Sequence, residues 1–141
     1  HAYSEMLSAD LAIVAKRRTS ATETESVGII GEIEEKHALL VDDITETAGT
    51  LVNAAAILKE RGALSVRAVV SHAILNDLGI DRLKNSCIDE LITTDTVPRP
   101  EIEGLNVTTL SVAGLLGEAM QRIHNNSSVN SLFRFKGART T

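Results

Sequence analysis

A chain of 141 residues is the size of one domain with a substantial core. Hydrophobic residues make up 43% of it, but only Tyr3, Phe133 and Phe135 are aromatic, so aliphatic side chains must fill that core. The scarcity of ring faces and the net charge of −5 exclude nucleic acid as the expected partner, because neither a stacking platform nor a basic surface is on offer.

Cys87 stands alone, which rules out an intrachain disulfide and is read as a buried, inert thiol. No apolar run approaches the ~18 residues of a membrane span, and no signal-peptide pattern opens the chain. The cytoplasm is therefore the expected compartment. Opening on His1 instead of Met leads to the expectation of a processed chain or a fragment.

The first predicted strand is the apolar stretch 11–15, and the second is 27–31. Between them lie Lys16, Arg17 and Arg18, then residues 19–26, which hold no large apolar side chain and are expected to form a mobile surface loop. Residues 37–41 read as a buried strand ending in Asp42 and Asp43. Leu51, Ala54, Ala55 and Leu58 recur at helical spacing, which predicts a helix over 48–61 with Gly62 at its C-terminal cap. Further strands are predicted over 65–71, 90–93 and 106–110, with a short helix over 77–84. A closing helix over 111–124 carries Leu115, Ala119 and Ile123 on its apolar face. Strand–helix alternation with nearly continuous apolar strands predicts an α/β fold, a mostly parallel sheet flanked by helices.

In open parallel sheets, ligands bind beyond the carboxyl ends of the strands. The segment Val41-Asp42-Asp43-Ile44-Thr45-Glu46-Thr47-Ala48-Gly49-Thr50 falls at such an end. Two adjacent carboxylates cannot both be buried unpaired, so they must meet solvent, a metal ion or ligand hydroxyls. The Thr47-Ala48-Gly49-Thr50 run enters a helix, whose first amides are unsatisfied and lie at the positive end of its dipole. Gly49 permits close approach of an oxyanion, and both threonines add hydroxyl donors. A sugar phosphate suits both halves of the segment. On this local chemistry alone, an Asp-Asp turn leading into a Thr-capped helix, with no ligand, stands beside that reading.

The segment also resembles the phosphoribosyl-pyrophosphate loop of the type I phosphoribosyltransferase fold. More closely, residues 2–133 resemble the C-terminal part of the ribose-phosphate pyrophosphokinase family. The resemblance is carried by Ala9-Asp10-Leu11-Ala12-Ile13, Lys16-Arg17-Arg18, the 41–50 segment, Ser71-His72-Ala73-Ile74-Leu75, Thr94-Asp95-Thr96-Val97-Pro98 and Ser128-Val129-Asn130-Ser131-Leu132-Phe133. It implies a Rossmann-like three-layer domain over residues 1–141, with a flexible loop at about 16–26 and a ribose 5-phosphate loop at 42–50. The family's N-terminal domain is missing from this sequence.

The implied reaction moves the diphosphoryl group of ATP to ribose 5-phosphate, giving phosphoribosyl pyrophosphate and AMP, with Mg²⁺ as cofactor. Lys16 and Arg18 match the family's catalytic cations. Arg18, Asp42, Asp43, Glu46, Thr47, Ala48, Gly49 and Thr50 match the sugar-phosphate site, with Asp42 as the ribose-binding acid. No metal ligand is expected in this segment, since His1, His37, His72 and His124 show no ligand spacing. His72 reads as a satisfied polar residue at a strand end.

The resemblance further implies a homo-oligomer, a hexamer in the family, and a segment inactive without its N-terminal domain. Glu46 stands where the family usually has Asp, Thr45 where an apolar residue is common, and Asn130 where Ser is common. Two alternatives remain: a non-catalytic regulatory subunit that assembles with active synthetases, and a purine or pyrimidine phosphoribosyltransferase. The Lys16-Arg17-Arg18 cluster and the 128–133 tail favour the synthetase over the transferase; Lys16 and Arg18 favour it over the regulatory subunit, an alternative that Glu46 and Thr45 keep open.

Overall fold

Aliphatic stretches of the chain supply the four strands of one parallel sheet. The computed structural model describes residues 1–17, 26–98 and 102–133, and for residues 15–17, 26 and 27 it describes the backbone. The sheet runs in the order β3 (His37–Thr45), β4 (Ser65–Ala73), β5 (Glu90–Thr94) and β6 (Val107–Leu110), all parallel. Ahead of it stand the short helix α1 (Ala2–Leu7) and an antiparallel hairpin of β1 (Ile13–Arg17) and β2 (Ser26–Ile30), a separate two-stranded sheet.

Successive side chains of a strand alternate between faces, so one face of the sheet collects every second residue. Ala38 and Leu40 pair with Val66 and Ala68, Asp42 pairs with Val70, and Ala68 and Val70 pair with Leu91 and Thr93. That face is covered by α2 (Gly49–Glu60) through Leu51, Ala55 and Leu58, and by α3 (Asp77–Lys84) through Leu83. Leu83, Leu91, Val66 and Val70 are fully buried; each such side chain contributes roughly 1.5–3 kcal/mol of burial.

Local chemistry sets the ends of the helices. Gly62 has φ +86° just past α2, and its amide donates to Lys59 O while that of Ala63 donates to Leu58 O, a paired closure that satisfies the last carbonyls. Asn76 caps α3 by accepting from the Gly79 amide at 2.9 Å. The predicted cap at Gly62 and the predicted span of α3 both match these observations.

Five features differ from the sequence reading. β3 continues four residues past Val41, because Ile44 and Thr45 pair with His72 and Ala73 and the ladder overrides the poor strand preference of two aspartates. β1 begins at Ile13, two residues later than predicted. α1 and the 3₁₀ turn Asn130–Phe133 were not foreseen, since six and four residues are too few to show a period. The final helix, α4 (Ala113–His124), has no buried residue: Leu115, Leu116, Met120 and Ile123 are all exposed. Cys87 is partly buried against the core, less enclosed than the sequence suggested.

Candidate functional site

At the carboxyl end of β3 the chain leaves the sheet at Thr45, which is buried, and enters α2 four residues later. Ala48 bridges the two in the left-handed conformation, φ 53° and ψ 8°. For a residue with a Cβ that costs roughly 1–2 kcal/mol. Its methyl group is 2% exposed and belongs to the core cluster, and that burial offsets the strain. A left-handed residue beside right-handed helical ones turns successive amides toward a common point, a geometry suited to anions. No side chain among the described residues caps the start of α2, which leaves its first-turn amides, at the positive end of the dipole, without a side-chain acceptor. Thr47 and Thr50 are exposed beside it.

The two acids are placed differently. Asp42 is half-buried on the helix-covered face in line with Val70, whereas Asp43 is exposed on the opposite face. They lie inside β3, not after it as the sequence reading had it. Asp42 Oδ1 accepts the Asp43 amide at 2.9 Å. Glu46 is exposed, and its Oε1 accepts from Asn76 Nδ2 at 3.4 Å.

Sequence reasoning missed three residues that brace this turn from the β4–α3 side. The Asn76 amide donates to Glu46 O at 3.3 Å. Gly79 lies so close that a Cβ there would sit 2.2 Å from Glu46 O. Arg82 Nη1 donates to Thr47 O at 3.1 Å and lies 3.0 Å from where a Cβ on Gly49 would be. An Asn-Asp pair before a helix signals a cap, but nothing local tells that this cap also touches a loop thirty residues upstream.

The neighbouring strand ends add a hydroxyl cluster. His72 Nδ1 meets Thr96 Oγ1 at 2.7 Å, as expected of a satisfied polar residue. Thr94 Oγ1 donates to Ser71 O at 2.6 Å and lies 2.8 Å from Thr96 Oγ1. Asp95 Oδ1 accepts the Val112 amide at 2.8 Å; a hydrogen bond from Ser111 and this amide hold its carboxyl below the usual range.

Of the two expected catalytic cations, Lys16 pairs along the backbone with Val27 in the β1–β2 hairpin. Arg18 lies outside the described residues, as do residues 19–25 and Phe135. An apolar cleft of about 710 Å³ opens elsewhere, between α1, the start of β1 and the first half of β3. None of residues 42–50 lines it. Among the described residues no three of His, Cys, Asp and Glu gather closely enough to hold a metal ion. No helix among them is long and apolar enough to cross a membrane.

Comparison with known proteins adds the decisive observation. Residues 6–134 match the family model described as the phosphoribosyl synthetase-associated domain. The chain belongs to this family. Among curated relatives, it is 46% identical over 127 residues to the ribose-phosphate pyrophosphokinase of Campylobacter jejuni, covering 90% of this chain and 41% of that protein. It is 45% identical over 131 residues to the enzyme of the same name from Helicobacter pylori strain J99, covering 93% and 41%. A crystal structure of phosphoribosylpyrophosphate synthetase from Mycobacterium smegmatis superimposes with a TM-score of 0.80 at 30% identity, covering 89% of this chain and 41% of that one. The α/β fold expected from the sequence is thus that of the phosphoribosyl synthetase family. The chain spans about two-fifths of the length of the relatives it matches.

Proposed function

We propose that this chain is the ribose 5-phosphate-binding part of a ribose-phosphate diphosphokinase, which transfers the diphosphoryl group of ATP to ribose 5-phosphate and releases AMP. The reading rests on the turn over residues 42–50. A left-handed Ala48 and an uncapped helix start stand ready for a phosphate monoester, with carboxylates one turn away for the sugar hydroxyls.

Asp42, on the same face as α2, accepts hydrogen bonds from ribose hydroxyls and so orients the anomeric oxygen for attack, with Asp43 beside it on the strand. Residues 46–50 hold the 5-phosphate through main-chain amides and the hydroxyls of Thr47 and Thr50. Arg18 reaches the same ligand. Lys16 and Arg18 neutralise the charge that builds on the transferring diphosphoryl group. Mg²⁺ supplies charge neutralisation on ATP phosphates when bound. The steps assigned to this chain's own residues are sugar binding, orientation and cation support.

We assign the chain to the C-terminal phosphoribosyltransferase-like part of a longer cytoplasmic protein that acts as a homo-oligomer. The length ratio to its relatives supports the reading of this chain as part of a longer protein. The test is an assay of AMP release from ATP and ribose 5-phosphate, using protein that carries this chain together with the rest of the family's length. Lys16→Ala is expected to lower the rate by orders of magnitude, since a transition-state cation is worth several kcal/mol, roughly 10²-fold or more. A loss below about tenfold removes Lys16 from the catalytic role.

A further inference from the structure

We infer that Arg82, seconded by Asn76, is a positioning residue for the sugar-phosphate turn: it fixes the direction of the amides that meet the phosphate. The inference rests on the sugar-phosphate reading given above and assigns the machinery that shapes that site.

Three consecutive carbonyls of the turn are tied to the β4–α3 side. Thr45 O accepts the Ile74 amide at 2.9 Å, Glu46 O accepts the Asn76 amide at 3.3 Å, and Thr47 O accepts Arg82 Nη1 at 3.1 Å. In a trans peptide the carbonyl of one residue and the amide of the next point in opposite directions. The three ties therefore send the amides of Glu46, Thr47 and Ala48 away from α3, continuous with the first turn of α2. Only the third tie is made by a side chain. A free Thr47 peptide would be able to flip and present its carbonyl oxygen to the phosphate, exchanging attraction for repulsion.

Arg82 also supplies charge. Its guanidinium lies against Gly49, at the positive end of the α2 dipole, and stays protonated at every relevant pH. Asn76 keeps the Arg82-bearing helix in register with the turn, because one side chain caps α3 at Gly79 and reaches Glu46 Oε1. Arg82 is bonded to the turn itself and not to a ligand, so it acts through residues 47–49.

The test follows the amide resonances of the full chain during titration with ribose 5-phosphate. In the wild type, residues 46–50 are expected to shift together. In Arg82→Ala the midpoint for those amides is expected to rise about tenfold or more, while core signals from Leu83 and Leu91 stay in place. Arg82→Lys keeps the charge without the planar fork and is expected to recover part of the loss. A wild-type midpoint in Arg82→Ala overturns the inference; should that variant fail to fold, the same result in Arg82→Gln does so. Loss of core signals in step with ligand binding in every folded-capable variant also overturns it, since Arg82 would then be structural alone. A wild type whose amides do not respond at all removes the sugar-phosphate reading itself, and the inference with it.

Discussion

The Asp43 amide donates to Asp42 Oδ1 at 2.9 Å, although the two carboxylates leave β3 on opposite faces of the sheet. Adjacent acids that look interchangeable in the sequence are thereby separated into two environments. Asp42 both organises the backbone of its neighbour and lies half-buried, whereas Asp43 is free at the surface of the strand. Asp42→Ala is expected to lower stability by about 1 kcal/mol as well as ribose 5-phosphate affinity. Asp43→Ala is expected to leave stability within about 0.5 kcal/mol while still weakening the sugar. Urea unfolding and ligand titration of the two variants check the split.

Gly79 is the point where α3 touches the turn. A methyl group there would overlap Glu46 O at 2.2 Å, so the helix or the turn must move. Gly79→Ala is expected to cost about 1–3 kcal/mol, as overpacking does, and to reduce ribose 5-phosphate binding. An alanine variant with unchanged urea midpoint and unchanged affinity would show that the contact is soft.

How much of this was legible in the chain depends on distance along it. The aliphatic runs around Leu40, Val69 and Leu91 carried the strands, and Gly62 carried the end of α2, because burial and left-handed caps leave local signals. The 42–50 turn was legible as chemistry, since acids, threonines and a glycine cluster within ten residues. Its bracing was not: Arg82 and Thr47 are 35 positions apart, and Asn76 and Glu46 are 30 apart. Periodicity identified the apolar stripe on α4 but is silent on whether anything covers it, and Leu116, Met120 and Ile123 are exposed. The extension of β3 through two aspartates came from pairing with β4, a partner that lies beyond a helix and a turn.

Thr93 sits 2% exposed on the core face of β5, and its Oγ1 has no hydrogen-bond partner among the described residues. An unsatisfied buried hydroxyl is a net cost. Thr93→Val keeps the shape and removes the hydroxyl, and is expected to raise stability by roughly 1 kcal/mol. Thermal unfolding reads the change, and a lowered melting temperature would reveal a partner for that oxygen.

Asp95 joins the end of β5 to the entry of α4 through the Val112 amide, with Ser111 as the larger cause of its lowered pKa. A depressed carboxylate stabilises the fold above its unfolded pKa, about 3.9, and that contribution fades as pH falls through the still lower folded value. Exchange of the Val112 amide is thus expected to be pH-independent in its protection from neutral pH down to about 4 and to lose protection below it. In Asp95→Asn the acid-dependent loss of protection is expected to vanish. Hydrogen exchange followed residue by residue distinguishes the two.

The central claim concerns one turn and one ligand, and a crystal structure of the chain soaked with ribose 5-phosphate tests it most directly. The expected density has the ester phosphate within hydrogen-bond reach of the amides of residues 46–50, and the ribose hydroxyls turned toward Asp42, with Asp43 beside it. A sugar phosphate bound elsewhere, with this turn vacant and its amides closed onto other protein groups, would contradict the account.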